Sequence, residues 1–329
     1  MTDKNPYSKI HQNILEWYAE HGRVTLPWRN SSSPYEIYLS EIMLQQTQVK
    51  TVLERFHFPF LNNFPTLKDV ADAPLDDVLK SWEGLGYYTR ARNLHKTAIE
   101  TQGELPSSAE ALEKLSGIGK STAHAVACFA FGVSLPILDA NVKRILYRFF
   151  AIEKCNDREL WKMAYRLYDR ENSYFYNQTL MDIGSMVCTP KNPLCKNCPL
   201  ESLCQGKKEP LRYPKKQVKK TKPTRKRFMV IYHDDGRYLL ERNETQLLGG
   251  LWAFAQLEEF DVAERRVTLL GEFTHHYTHF RLDAKVLLVK KENEEKKYFT
   301  IEEIDKLALS GADRKALEIL KESVKEESE

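Results

Sequence analysis

Four cysteines within 17 residues constrain this chain more than any other feature. Cys188, Cys195, Cys198 and Cys204 follow the spacing C-x6-C-x2-C-x5-C, which fits neither one face of a helix nor one face of a strand. The pattern implies a loop wrapped around one centre, with Pro193 and Pro199 turning the chain between thiols. Six Cys in 329 residues are too few for a disulfide scaffold. Met1 to Ile10 lacks the apolar core of a secretion signal, so a reducing, cytoplasmic setting is expected. No apolar run approaches the ~20 residues of a membrane span; the longest is Ala123 to Val133. In such a setting clustered thiols read first as a metal site, and soft sulfur ligands select zinc or an iron–sulfur cluster. Thiol count alone leaves that choice open. Cys128 and Cys155 stand outside the cluster, and Cys128, on an apolar helix face, reads as core.

The length suggests about two domains, and 42% apolar with 29% charged residues excludes collagen-like or disordered chains. The net charge of +3 conceals a division. Lys207 to Arg227 holds eleven Lys or Arg against the single acid Glu209, a local charge of +10 that leaves −7 on the remainder. A solvated linker explains such a stripe; so does a surface for a polyanion.

Up to this stripe the pattern is helical. Ile10, Ile14, Trp17 and Tyr18 recur at helical spacing. Ser33-Pro34-Tyr35-Glu36 reads as a helix start, with the next helices around Val49 to Phe56, Asp76 to Trp82, Ala109 to Leu115, Ser121 to Phe131 and from Asp139. Pro210, Pro214 and Pro223 mark the stripe as a boundary. Beyond it, Phe228 to His233 and Arg237 to Arg242 read as a hairpin, Val267 to Phe273 and Phe280 to Lys290 as strands, and Thr300 to Glu303 as a capping box. A charged helix closes the chain from about Ala312.

Two segments carry possible chemistry. Ser116-Gly117-Ile118-Gly119 feeds a helix N-terminus, where free N–H groups can hold a phosphate; it also suits a plain helix corner. Asp139 precedes Ala140-Asn141-Val142 and reads as an N-cap. By pattern alone Glu41, mid-helix between Leu39 and Ile42, reads as a solvated surface acid.

Taken together, these motifs resemble the MutY adenine DNA glycosylases of the endonuclease III-like helix-hairpin-helix superfamily. The cysteine spacing matches that superfamily's [4Fe–4S] loop. Leu39 to Val49 resembles the catalytic segment, Leu26-Pro27-Trp28-Arg29 the segment ahead of it, Trp82 to Leu94 the loop that wedges into DNA, and Ile137 to Arg144 the catalytic Asp segment, with Ala140 where Gly is usual. Leu248 to Phe254 and Phe273 to Phe280 resemble pieces of the family's MutT-like domain. The implied fold is multidomain: an all-α helix-hairpin-helix glycosylase with an iron–sulfur cluster loop, followed by an α+β Nudix-like domain. The implied boundaries are 1–206 for the helical region (23–136 a six-helix module; 1–22 with 137–206 the iron–sulfur module), 207–227 for a basic linker, and 228–329 for 8-oxoguanine recognition.

The resemblance implies a monomeric, monofunctional enzyme that removes adenine opposite 8-oxoguanine or guanine in duplex DNA, with no membrane role. It assigns Glu41 as the acid and Asp139 as the anionic stabiliser, with Ser121 and Asn141 in the catalytic set. DNA contacts fall to Arg29, Gln46, Thr47, Leu85, Tyr87, Tyr88, Gly117, Gly119 and Lys143, with Arg144 and Lys196 as further phosphate contacts. Tyr277, Thr278 and His279 stand where the family has Phe-Ser-His and would read the lesion. Cys188, Cys195, Cys198 and Cys204 would hold a [4Fe–4S] cluster. Endonuclease III relatives with strand-cleaving activity carry a Lys where this chain has Ser121, and Ser cannot form a Schiff base. The Nudix acids are missing after Gly250, so nucleotide hydrolysis is not expected.

Overall fold

The computed structural model describes residues 6–215, 221–245, 248–260, 267–290 and 297–326. Contacts divide the chain into two compact units: Met1–Gln46 with Glu104–Val218, and Thr47–Gly103 with Lys219–Glu329. This line differs from the expected one, because a stretch of the helical region groups with the C-terminal domain.

In the first unit, α1 (Ser8–His21) and α2 (Pro34–Leu44) open the chain. The intervening α3 (Val49–Arg55), α4 (His57–Asn63), α5 (Leu67–Asp72), α6 (Leu75–Ser81) and α7 (Thr89–Glu100) belong to the second. The first unit resumes with α8 (Ala109–Leu112), α9 (Lys120–Phe131), α10 (Ala140–Phe149), α11 (Asp157–Leu167) and α12 (Ser173–Asp182). The Ser33 hydroxyl accepts from Glu36 N at 3.3 Å and Pro34 takes the first helical position, as the sequence pattern demands. One core gathers Ile10 and Ile14 from α1, Val142, Ile145 and Leu146 from α10, Leu160 and Leu167 from α11, and Leu180 from α12. After α12 the chain winds through one wider turn, Ile183–Val187, with Cys188 N donating to Ile183 O at 2.6 Å. That turn delivers Cys188 against the α10 side of the core. Cys128 is 2% exposed, a core residue as expected.

Among the described residues no strand precedes Thr224. The second unit then builds a mixed sheet from β1 (Thr224–Asp234), β2 (Arg237–Leu239), β5 (Ala255–Leu257), β6 (Val267–His276), β7 (Arg281–Lys290) and β8 (Tyr298–Phe299), while β3 (Glu241–Arg242) and β4 (Trp252–Ala253) pair separately. The sheet order is β6-β7-β1-β2-β8; β1 runs parallel to β7, and β5 pairs with β1. Helices α13 (Ile301–Lys306) and α14 (Gly311–Glu326) follow. α14 packs on β6, and Ala316, Leu317 and Leu320 complete a core with Met229, Ile231 and Val286. Thr300 forms the expected capping box with Glu303.

Three local expectations need correction. The second hairpin arm is not one strand: Arg237–Leu239 pairs with β1 and β8, and Glu241–Arg242 turns away to β4. The first strand starts at Thr224, inside the expected linker, because Thr224 to Arg227 pair with Arg281 to Ala284. The near end of the linker is also structured: Arg212 Nε bonds Glu153 Oε1 at 2.7 Å and Lys215 N bonds Glu153 O at 2.9 Å. Residues 216–220 of that stretch lie outside the described ones.

Candidate active site

Glu41 lies in the last turn of α2, which packs against α9. Asp139 is the N-cap of α10, its Oδ1 accepting from Val142 N at 2.7 Å. Both residues are half-buried, and burial is the main influence on each carboxyl. Glu41 is thus no surface acid. Three contacts hold the Asp139 segment. The Ser121 hydroxyl, in the first turn of α9, accepts from Leu138 N at 3.3 Å. Asn141 Nδ2 donates to Asp139 Oδ2 at 3.3 Å, and Arg144 Nη2 donates to Asn141 Oδ1 at 2.8 Å.

Burial raises the Glu41 carboxyl to about 7, the charge of Asp139 raises it too, and only Arg29 opposes the rise. Asp139 is also raised by burial, but the Val142 N–H, the Arg144 charge and Asn141 all favour its anion. The donors that stabilise an anion are therefore gathered on Asp139. Such a pair can keep one carboxyl protonated and the other ionised near neutral pH.

Arg29 owes its place to Asp182 at the end of α12. Its Nη1 and Nη2 meet the two Asp182 oxygens at 2.7 and 2.8 Å, and Arg23 Nε adds a third bond at 2.7 Å. Asp182 is fully buried and the Arg29 side chain is 3% exposed. Burial pushes the Asp182 carboxyl up, but Arg29 and then Arg23 more than reverse it. Arg29 therefore acts through its charge on Glu41 and is not an open phosphate contact. Asp182 escaped the sequence reading. The available signal was an acid in the otherwise uncharged, largely apolar run Leu180 to Val187, a place where acids persist only when paired.

At the hairpin, Gly117 adopts φ +75°, a left-handed position that favours glycine. A Cβ on Gly119 would meet nothing within 4 Å, so its backbone is open to approach. Lys120 Nζ sits 4.5 Å from the centre of the Trp161 ring, a cation–π seat. Lys143 bonds Asp157 at 2.8 Å. Arg144 is spent on Cys188 O, Gly184 O and Asn141, which removes it from the expected phosphate contacts.

The four cysteines converge. Cys188, Cys195, Cys198 and Cys204 line one small cavity with Arg148, whose Nη1 donates to Cys188 Sγ at 3.3 Å. Burial pushes the Cys198 thiol up to about 12 and Cys204 up to about 11, so they ligate only where a cation displaces the proton. Among the described residues, no three His, Cys, Asp or Glu side chains are gathered closely enough to hold a single metal ion.

Residues 39–167 match the family described as HhH-GPD superfamily base excision DNA repair protein, and residues 227–319 match the NUDIX domain. An adenine DNA glycosylase of Buchnera aphidicola subsp. Baizongia pistaciae is 37% identical over 294 residues, covering 83% of this chain and 84% of that protein. One from Buchnera aphidicola subsp. Acyrthosiphon pisum is 34% identical, covering 95% and 98%. The chain belongs to the adenine DNA glycosylase family. It is by that membership a DNA glycosylase of base excision repair. Among solved structures, a thermostable thymine-DNA glycosylase shares 28% identity at a TM-score of 0.57, covering 63% of this chain and all of that one.

The second unit of this glycosylase carries the remaining expected residues. Of the expected wedge, Leu85 is 7% and Tyr88 6% exposed, and Tyr88 Oη is spent on Leu309 O at 3.1 Å. Both are buried, and Tyr88 reaches the C-terminal domain through its hydroxyl. Tyr87 is the exposed member, at φ +51°. Thr47 Oγ1 accepts from Arg90 at 3.5 Å, while Gln46, in the first unit, is exposed at φ +58°. Tyr277 turns inward between His275 and Phe280, each ring 4.6 Å away, which leaves Thr278 and His279 exposed. A further residue missed in the sequence is Arg314, which bonds Glu83 at 2.7 and 3.0 Å. Nothing in the sequence marks that pair, whose members lie 231 positions apart.

Proposed function

We propose that this protein hydrolyses the N-glycosidic bond of adenine mispaired with 8-oxoguanine or guanine in duplex DNA, without a lyase step. The observation that carries the reading is the carboxylate pair: Glu41 raised to about 7 beside Asp139. A base inside a duplex must be flipped out before a side chain reaches it, at a cost of a few kcal/mol. Adenine leaves poorly as an anion and well once protonated. Glu41, neutral up to about pH 7, is the proton donor to the extruded purine. As the bond breaks the sugar becomes cationic, and the Asp139 carboxylate, held by Val142 N–H and Asn141, stabilises it. Water then completes an abasic site. Ser121 and Asn141 act as positioning residues for Asp139. The open backbone at Gly117 and Gly119 suits a DNA phosphate, and Tyr87 suits the gap left by the flipped base. Thr278 and His279 read the base opposite adenine, in a domain without the acids of nucleotide hydrolysis.

Lys120 lies on Trp161, which supports a glycosylase without a Schiff-base step. The four thiols suit a [4Fe–4S] cluster better than zinc. Zinc draws four sulfurs to about 2.3 Å from one point, whereas the C-x6-C-x2-C-x5-C loop lining this cavity resembles the family's cluster loop. Bound there, the cluster would supply a rigid cross-link of the loop. Arg148 is the cation placed to offset thiolate charge. No described helix is long and apolar enough to cross a membrane; a cytoplasmic, nucleoid-associated monomer fits DNA repair.

The test is a single-turnover assay on duplexes with adenine opposite 8-oxoguanine, G, C or T, with and without alkali. Release opposite 8-oxoguanine and G, with strand breaks only after alkali, is expected. Release of an oxidised pyrimidine instead, or strong borohydride trapping dependent on Lys120, would overturn the reading.

A further inference from the structure

Residues 132–139 link α9 to α10 outside any helix or strand, and Asp139 closes that loop. Pro136, Ile137 and Leu138 are buried, so their backbone groups need partners. Side chains supply them, one residue after another. Leu138 N donates to the Ser121 hydroxyl. His124 Nδ1 lies 2.7 Å from Pro136 O; a carbonyl only accepts, so that nitrogen carries the proton. Ile137 and Leu135 both belong to Asn177 of α12.

Asn177 is 1% exposed. Its Oδ1 accepts from Ile137 N at 3.0 Å. Its Nδ2 donates to Leu135 O and to Ser173 O, each at 2.9 Å. The bonds to Ile137 and Leu135 clip the loop just ahead of Asp139, and the bond to Ser173 fastens the same amide to the first turn of α12. Only a primary amide offers an acceptor and two donors on so short a stem; an ionised Asp offers no donor and Leu offers neither. Helix α12 packs on α1 and α10 and shares their core. The Val142 and Asn141 bonds fix Asp139 relative to α10, whereas Asn177 fixes the approach to Asp139 relative to α12.

We propose that Asn177 is a positioning residue for base excision: through Ile137 and Leu135 it sets where the Asp139 carboxylate stands against the sugar. This inference rests on the adenine glycosylase reading. The sugar is cationic only as the bond breaks, so a displaced carboxylate loses stabilisation of the transition state and not of the bound duplex. Loss of Asn177 therefore acts on rate and spares affinity.

The experiment measures single-turnover adenine release by the full-length protein, enzyme in saturating excess, from a duplex with adenine opposite 8-oxoguanine. It compares wild type, Asn177→Ala, Asn177→Asp and Thr179→Val. Duplex affinity is read separately with 2′-fluoro-2′-deoxyadenosine at the target position, where the fluorine opposes positive charge on the sugar and blocks bond breakage. Thr179 is the control: it is fully buried on the same helix, and its hydroxyl bonds Phe175 O. Asn177→Ala should lower the rate constant about 10–100-fold, the cost of a small misplacement, with affinity retained. Asn177→Asp keeps an acceptor for Ile137 N and should lose less. Thr179→Val should match wild type. Partial unfolding alone lowers the reaction amplitude and leaves the rate constant unchanged. A wild-type rate constant in Asn177→Ala, affinity that falls in step with rate, or a Thr179→Val as slow as Asn177→Ala overturns the inference and leaves the glycosylase reading standing. If Asn177→Ala does not fold, Asn177→Asp decides: a slower rate constant at retained affinity supports the inference, and a wild-type one overturns it. A wild-type protein that releases no adenine contradicts the glycosylase reading, and this inference falls with it.

Discussion

Burial, reinforced by the charge of Asp139, lifts the Glu41 carboxyl to about 7, from an ordinary 4.5. In the mechanism we propose, the charge that would stabilise a cationic sugar also helps to keep its neighbour protonated.

The same lift costs stability. Glu41 binds its proton more tightly folded than unfolded, so folding is favoured below the unfolded value near 4.5, and that advantage is lost as pH rises through about 7. At pH 8 the buried anion costs about 3 kcal/mol. Glu41→Gln should therefore unfold at higher denaturant than wild type at pH 8, with the difference vanishing near pH 4.5. Equal stability of the two proteins at every pH would count against a raised Glu41.

Asn141 is held from beneath by Gly184, where a Cβ would collide with the Asn141 Cβ. Gly184→Ala should destabilise the fold by about 1–3 kcal/mol. It should also slow base release through displacement of Asn141 from Asp139, with duplex affinity changed little. Wild-type rates in this variant would show that Asn141 does not position Asp139.

Asp182 holds two arginines, and its loss strands both. Asp182→Asn should cost about 3–5 kcal/mol, the penalty of breaking a buried pair, measured by urea unfolding at neutral pH. The surviving enzyme should show a lower Glu41 pKa, since Arg29 is freed from its counter-ion and acts on Glu41 undiminished. A loss below about 1 kcal/mol would indicate that solvent reaches the pair.

Local features were legible in the chain itself. Ser33 caps α2, Asp139 caps α10 and Thr300 closes its box with Glu303, because each motif needs only residues three positions apart. The cysteines gather as their spacing requires. What escaped is long-range. Arg29 meets Asp182 across 153 positions, and Tyr87 meets Thr278 across 191. No periodicity encodes such pairs. The same holds for Tyr88, whose motif resembles a wedge but whose hydroxyl is taken by Leu309 O of the C-terminal domain. Glu41 shows the limit from the other side: its flanking residues describe a helix face, and its burial comes from tertiary packing such as that of α2 on α9.

The most direct measurement is the single-turnover rate of adenine release opposite 8-oxoguanine as a function of pH, for wild type and Glu41→Gln. Wild type should lose rate as pH rises above about 7, as the Glu41 proton is shed, and Glu41→Gln should be slower by about 10²–10⁴-fold across the range. A wild-type rate that holds level to pH 9, or a Glu41→Gln rate within tenfold of it, would contradict a neutral Glu41 as the donor to adenine.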